Sequence, residues 1–417
     1  MNNKNQLRIL APHSFRDKLS RRAVLKLGGA AAGLAVVAVA CGGDDSSGGD
    51  SGGDSGGEGG GASGGTQASG DWSRVINPAS GTLAMYTWGD YNDPELVGGQ
   101  AESALGVSMK VDYYGSNEEL ITKLASAGGA SGFDIVVPTG PYIPQMIEKG
   151  LIEKFDKSLL PNMSNVDPLY LGQAWDPSND YSVCKNWGTT GFFYDKTQIT
   201  TNPTDWQGYL DACMGEASGN CSVLDTGPNM VAVWLWANGY SWNTEDSAVL
   251  DQAEAFLVDE FAQHIKAFDS YPSTALAEGA YTMSMAWNGD ARQAYSRISE
   301  AGGTPENWVW ALGGPTTELW MDNYCIAAGS PNAEAAHAWI NWLLVPEISI
   351  QDLSYHGYHS GMKTIDKLVQ ELVPDLEKAD MIFFTDEQVT TMETQVINSA
   401  IDRHVDIFSK MKAKAGA

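Results

Sequence analysis

Apolar and polar positions fall into strand-like and helix-like patterns from Leu83 onward. Residues 83–88 (Leu-Ala-Met-Tyr-Thr-Trp) read as a short strand that breaks at Gly89 into Asp90 and Tyr91. Asn92-Asp93-Pro94-Glu95 then reads as the start of a helix, with Asn92 or Asp93 as cap and Pro94 at the first helical position, where the N–H it lacks would go unpaired anyway. Residues 107–113 predict a second strand, and Ser116-Asn117-Glu118-Glu119 is a capping-box pattern at the head of a helix reaching about Ser126. Residues 133–138 predict a third strand, and Thr139-Gly140-Pro141-Tyr142 turns into a helix ending near Gly150. This β-α-β-α-β-α order predicts a mainly parallel sheet covered on both faces. Its strand ends at residues 88–91, 114–116 and 139–142 would line one crevice, where open α/β sheets place ligands.

Two later stretches read as passages from one lobe to another. Residues 181–194 form an extended run interrupted by small side chains, and residues 283–290 form an apolar strand ending in Trp287 and Asp290. Between them lie a Trp-rich helix around residues 230–238 and a longer helical stretch near 250–268. A strand at 318–327 follows, then a helix capped by Ser330, opened by Pro331 and stopped before Pro346, then a polar helical tail. The pattern predicts an α/β protein of two lobes. Lobe 1 would comprise about 77–188 and 288–330, and lobe 2 about 189–287 and 331–417.

The N-terminal 72 residues do not belong to that body. Ser20-Arg21-Arg22-Ala23-Val24-Leu25-Lys26 resembles a twin-arginine export signature, and an apolar stretch of small residues follows up to Ala40. It is too short to span a bilayer of about 30 Å, so it reads as the hydrophobic part of a signal peptide over 1–40. Val37-Ala38-Val39-Ala40-Cys41 resembles a bacterial lipoprotein box, with Cys41 as the lipidated first residue of the mature chain. Residues 42–71 are almost wholly Gly, Ser, Asp and Glu, a flexible tether with a typical reach of roughly 30 Å.

Charge and cysteine usage narrow the function. The formal net charge is −27, although residues 1–40 hold seven Lys/Arg against Asp17 alone, so the body is more acidic still. Such a surface repels nucleic acid and favours cationic ligands. Apart from Cys41 there are four cysteines, which permits two disulfides in an exported protein. Cys213 and Cys221, closing a small polar loop, are the expected pair. No cysteines have metal-type spacing, and there is no His-Glu-x-x-His, Gly-x-Ser-x-Gly or Gly-x-x-x-x-Gly-Lys pattern. The run Tyr355-His356-Gly357-Tyr358-His359 lacks a spaced third ligand and reads as a loop wall. No metal, no cofactor and no catalytic group is expected.

Several blocks together resemble the polyamine-type solute-binding proteins of ABC importers, the spermidine/putrescine-binding group. They are Tyr86-Thr87-Trp88-Gly89-Asp90-Tyr91, Tyr114-Gly115-Ser116-Asn117-Glu118, residues 133–138, 176–181 and 286–290, and Leu319-Trp320-Met321-Asp322. The resemblance spans some 340 residues. It implies a two-lobed periplasmic-binding-protein-like (type II) fold, acting as a monomer, that closes over a small cationic amine and serves ABC permease subunits. It also implies Trp88, Asp90, Tyr91, Trp287, Asp290, Trp320 and Asp322 as cleft residues, and Thr139 and Tyr142 join them from the third strand end. Aromatic faces attract an ammonium by roughly 0.5–2 kcal/mol each when desolvated, and carboxylates supply charge-assisted hydrogen bonds. Asn229, with Thr226, stands where the group carries an acidic patch, which makes Asn229 a candidate contact for a less highly charged amine or zwitterion. Trp234, Trp236, Trp308, Trp310, Trp339 and Trp342 sit in apolar runs and read as core. A ligand sensor for a membrane receptor would use the same closure.

Overall fold

The structure is a computed structural model that describes residues 72–128 and 131–416. The signal peptide, Cys41 and the tether lie outside the described residues. In chain order the regular elements of the first part are β1 (Gly81–Trp88), α1 (Ala101–Leu105), β2 (Val107–Tyr114), α2 (Asn117–Ser126), β3 (Ile135–Val136), α3 (Ile143–Glu148) and β4 (Ile152–Glu153). The long β5 (Val183–Asp195) then leads to α4 (Trp206–Met214), β6 (Cys221–Leu224), α5 (Gly227–Ala237), α6 (Ser247–Glu254), β7 (Ile265–Asp269), α7 (Pro272–Ala277), β8 (Met283–Trp287), α8 (Asn288–Glu300) and β9 (Trp308–Ala311). The chain finishes with β10 (Leu319–Ala327), α9 (Ala333–Leu343), α10 (Pro346–His356), α11 (Ile365–Leu372), α12 (Asp386–Thr391) and α13 (Ile401–Ala415).

The strands form one curled path, β2-β1-β3-β10-β5-β8-β6-β7, with β4 on β10 and β9 on β5. β2, β1 and β3 run parallel, as the alternating order predicts, and β10 joins β3 antiparallel. In the second lobe β6 runs parallel to both β7 and β8. β5 links the two halves. Its first part pairs with β10 through Trp187, Gly188 and Thr189, and its second part pairs with β8 and β9. Each half encloses its own apolar core, one built on β1, β10, α9 and Ile348 of α10, the other on β6, α4, α5 and α13. This is the two-lobed, type II periplasmic-binding-protein fold.

Three connections cross between the lobes: β5, the segment 312–319 that enters β10, and the segment 392–400. The last is bound to the second by Leu319 N–H donating to the Glu393 carbonyl (2.9 Å) and Glu393 N–H to the Thr317 carbonyl (2.8 Å).

The structure differs from the sequence reading at several points. Residues 283–290 are not a crossing. β8 lies inside the second sheet, with Met283 and Ser284 registered on Cys221 and Ser222, and buried central strands read as the same apolar run that a crossing strand does. Residues 288–330 and 331–417 also divide differently. α8 and β9 sit in the second lobe, whereas α9 and α10 pack on the first and only α13 returns to the second. The stretch 250–268 ends in the strand β7, where Ile265 and Phe268 pair beside β6. After β1 no helix starts at Pro94. Asp93 Oδ1 accepts the Glu95 N–H (2.8 Å) in a tight turn and helical backbone begins at Leu96. Ser116 caps α2 by accepting the Glu119 N–H, as expected, although the Glu119 carboxylate reaches Gly115 N. Asn332, not Ser330, caps α9. Cys184, Cys213, Cys221 and Cys325 are all buried free thiols, so Cys213 and Cys221 do not pair. The Cys221 thiol points to the carbonyls of His264 (3.4 Å) and Cys213 (3.9 Å) instead.

Candidate functional site

A cavity of about 340 Å³ lies between the lobes. Parallel strands of the first lobe deliver their C-terminal ends to it: Trp88 and Tyr91 after β1, Tyr114 at the end of β2, and Thr139 and Tyr142 after β3. The second lobe contributes Asn229 from the first turn of α5, Trp287 from the end of β8 and Asp290 from the first turn of α8. β10 runs beneath and adds Trp320 and Asp322. All ten residues singled out from the sequence therefore stand on the wall of one cavity. Trp234, Trp236, Trp308, Trp310, Trp339 and Trp342 do not line it.

Two aromatic clusters form the walls. Trp88 and Tyr114 meet edge to face at 4.6 Å, each donating to the Val137 carbonyl. Opposite them Tyr358 packs edge-on against Trp320 (4.9 Å) and Tyr91 (5.6 Å). Offset and edge-on pairs of this kind hold rings rigidly, which leaves fixed faces toward the cavity.

Three carboxylates are set into these walls. Asp322 accepts from Thr139 Oγ1 (2.7 Å) and Tyr91 OH (2.9 Å), and Thr139 Oγ1 in turn accepts from Asn117 Nδ2 (2.9 Å). Asp290 accepts from Tyr358 OH at 2.6 Å. Glu318 accepts from Thr190 Oγ1 and Asn229 Nδ2. Burial pushes Asp290 and Asp322 up to about 6 and Glu318 up to about 7, against the pull of those donors. Burial makes ionisation of these groups costlier than in water, a cost that a cation in the cavity would offset. Asp90 behaves differently. It lies at the lip, exposed, and its carboxylate is paired with Arg297 (2.9 Å).

Behind the wall a buried ion pair supports the loop that carries Tyr91. Lys185 Nζ donates to Asp352 Oδ2 (3.1 Å) and to the Tyr91 carbonyl (2.9 Å), and sits 4.1 Å from the centre of the Tyr91 ring. Asp352 Oδ1 accepts the Asp93 N–H at 2.8 Å. Burial pushes Asp352 up, but Lys185 beside it holds its carboxyl well below the usual range. His356, next in this network, is kept neutral by burial, down to about 4. Among the described residues no group of His, Cys, Asp and Glu is arranged to hold a metal ion.

Sequence reasoning placed Tyr114 at the crevice but missed Glu318, and it read Tyr358 only as part of a loop wall. The signal for Glu318 was present, because Glu318, Trp320 and Asp322 alternate along one strand and so share a face. Tyr358 follows a helix in the first lobe, and only tertiary packing brings it to Asp290.

Two lobes with separate cores, crossing strands and an interlobe cavity of aromatics and carboxylates define a ligand-binding protein of the periplasmic type. The chain belongs to the family of bacterial extracellular solute-binding proteins, which it matches over residues 100–371. It is 30% identical over 334 residues to the spermidine/putrescine-binding periplasmic protein of Escherichia coli (strain K12), covering 80% of this chain and 92% of that one. It is 27% identical over 325 residues to the putrescine/agmatine-binding protein of Pseudomonas aeruginosa, covering 75% and 86%. Among solved structures, the spermidine/putrescine ABC transporter substrate-binding protein of Streptococcus pneumoniae superposes with a TM-score of 0.66 at 26% identity, over 81% of this chain and all of that one. These relatives are transport binding proteins and not enzymes.

Proposed function

We propose that the protein is the extracytoplasmic solute-binding component of an ABC importer. It captures a small cationic amine of the putrescine/spermidine type between its lobes and delivers it to the permease. The observation that carries this reading is the pairing of cavity carboxylates Asp290 and Asp322 with the aromatic faces of Trp88, Trp287, Trp320 and Tyr91. Desolvated aromatic faces and buried acids favour an ammonium over a sugar or an anion, and hinge bending at the crossings would enclose it. The names of the relatives support the same ligand class. The twin-arginine-like signal and Cys41 support export and a lipid anchor on the outer face of the cytoplasmic membrane, with the body working there as a monomer.

Calorimetry with putrescine, spermidine and agmatine tests the reading. Binding of at least one is expected, weakened at least tenfold in Asp290→Asn by loss of a charge-assisted hydrogen bond. Binding to none of them, together with binding to a sugar or an anion, would sink the amine assignment.

A further inference from the structure

Glu318 stands where the three interlobe connections meet. Its backbone belongs to the second connection and is bridged to Glu393 of the third. Its side chain takes a hydrogen bond from Thr190 on β5, the first connection, at 2.5 Å. Thr317, beside it, donates to the Thr190 carbonyl at 2.5 Å. From the second lobe Asn229 Nδ2 donates to the same carboxylate oxygen. Glu393 itself is bolted to the second lobe by Trp236 Nε1 (2.9 Å) and Trp242 N (2.8 Å). A change at Glu318 is therefore felt on all three connections at once.

The carboxylate is 7% exposed and lines the cavity. Both of its donors are neutral, and among the described residues it has no ion-pair partner. The charged group facing it is Asp322 on the same strand, which adds to the upward push of burial, and Tyr142 is the other titratable group in its field. A buried acid without a counter-charge is costly when ionised. Glu318 is open to the cavity, from which a cation can reach it.

We propose that Glu318 binds an ammonium group of the ligand, and that this contact, made where the crossings meet, biases the hinge toward the closed arrangement. The inference rests on the amine reading for the ligand but not for the hinge. In the ligand-free protein the ionised carboxylate favours opening, because opening lets water reach it. In the bound protein the ammonium replaces that water and closure follows.

The test uses the full chain as wild type, Glu318→Gln, Glu318→Asp and Thr190→Val, with putrescine and spermidine as probes. Calorimetry at pH 7.5 is expected to show Glu318→Gln about 10- to 100-fold weaker, the loss of one charge-assisted hydrogen bond. Glu318→Asp, which keeps the charge, should stay within about tenfold of wild type. Small-angle scattering should show ligand-free wild type opening between pH 5.5 and 8, and Glu318→Gln keeping only the part of that response due to Asp290 and Asp322. Thr190→Val, which removes the donor on β5 and lies outside the cavity wall, should shrink the ligand-induced closure and weaken binding with it, since affinity and closure are linked. Wild-type affinity and an unchanged pH response in Glu318→Gln would overturn the proposal. A reduced pH response with no amine bound by either protein would fault the ligand class and uphold the tie between Glu318 and the hinge.

Discussion

Arg297 reaches across the mouth of the cleft to Asp90, with 2.9 Å between Nη2 and Oδ2. Asp90 belongs to the first lobe and Arg297, on α8, to the second, so the bridge exists only when the lobes are together. The lips also meet at Gly89, where a Cβ would lie only 3.1 Å from the Tyr271 ring. The structure is thus a closed form. The resemblance implied Asp90 as a cleft residue, but its charge is already answered by Arg297.

Asp90 is 46% exposed at its side chain, and exposed ion pairs contribute little. Asp90→Asn and Arg297→Gln are each expected to weaken amine binding by about two- to fivefold, mainly through faster release, and to lose the effect in high salt. The double variant should be no weaker than the worse single one, since both remove the same bridge. Stopped-flow release rates over a salt series check this. A loss of about 100-fold in Asp90→Asn alone would instead mark a carboxylate that touches the ligand.

Legibility in the sequence followed the length scale of each feature. Trp88, Tyr114 and Thr139 could be placed because each closes a short apolar run, and parallel strands deliver their ends to one edge. Asn229 and Asp290 were found through the family resemblance, although the helix of Asn229 begins at Gly227, before the run at 230–238, and Asp290 opens a helix where the sequence read a strand end. What could not be read was pairing between distant segments. Arg297 lies 207 residues from Asp90, and Asp352 lies 167 residues from Lys185. The lobe boundaries failed for the same reason, because α9 and α10 return to a core begun at Leu83. Local pattern carries no information on which sheet a later helix will cover.

Gly188 on β5 offers a way to disturb the cavity from behind. It is registered opposite Trp320, and a Cβ there would lie 2.4 Å from Trp320 Cζ2 and 2.6 Å from Asn288 Oδ1. Neither neighbour can give easily, since Trp320 is held edge-on by Tyr358 and Asn288 Oδ1 accepts the Thr189 N–H at 2.9 Å. Gly188→Ala should cost about 1–3 kcal/mol of stability through overpacking. It should also push the indole into the cavity and weaken amine binding by about tenfold, the loss of one cation–aromatic contact. Urea unfolding and calorimetry on the same preparation separate the two effects. Reduced stability with wild-type affinity would show that Trp320 does not face the ligand.

Proton linkage gives the cavity acids a signature of their own. Burial raises Asp290 and Asp322 to about 6, and Glu318 and the nearby Asp93 to about 7. Each is an acid whose folded-state value lies above the unfolded value of about 4. Its contribution to stability is therefore fully present below about pH 4 and is lost as the pH rises through 6 to 7. Asp352, held low by Lys185, acts in the opposite sense, but only below the unfolded value, so it does not enter this window. The buried His356, His359 and His404, pushed down to about 4, 3 and 4, act in the opposite sense below their unfolded value of about 6.5. The clean comparison therefore lies above it: the ligand-free protein should melt at a higher temperature at pH 6.5 than at pH 8. An ammonium stabilises the ionised acids, so the increment in melting temperature from saturating putrescine should grow over the same interval, with protons released on binding. Thermal melts across the range, with and without putrescine, should diverge as the pH rises. The overall acidity of the chain also favours melting at high pH, and Asp322→Asn isolates the site, because it leaves that background nearly unchanged while narrowing the divergence. Parallel curves in wild type would mean that these carboxylates do not meet the ligand's charge.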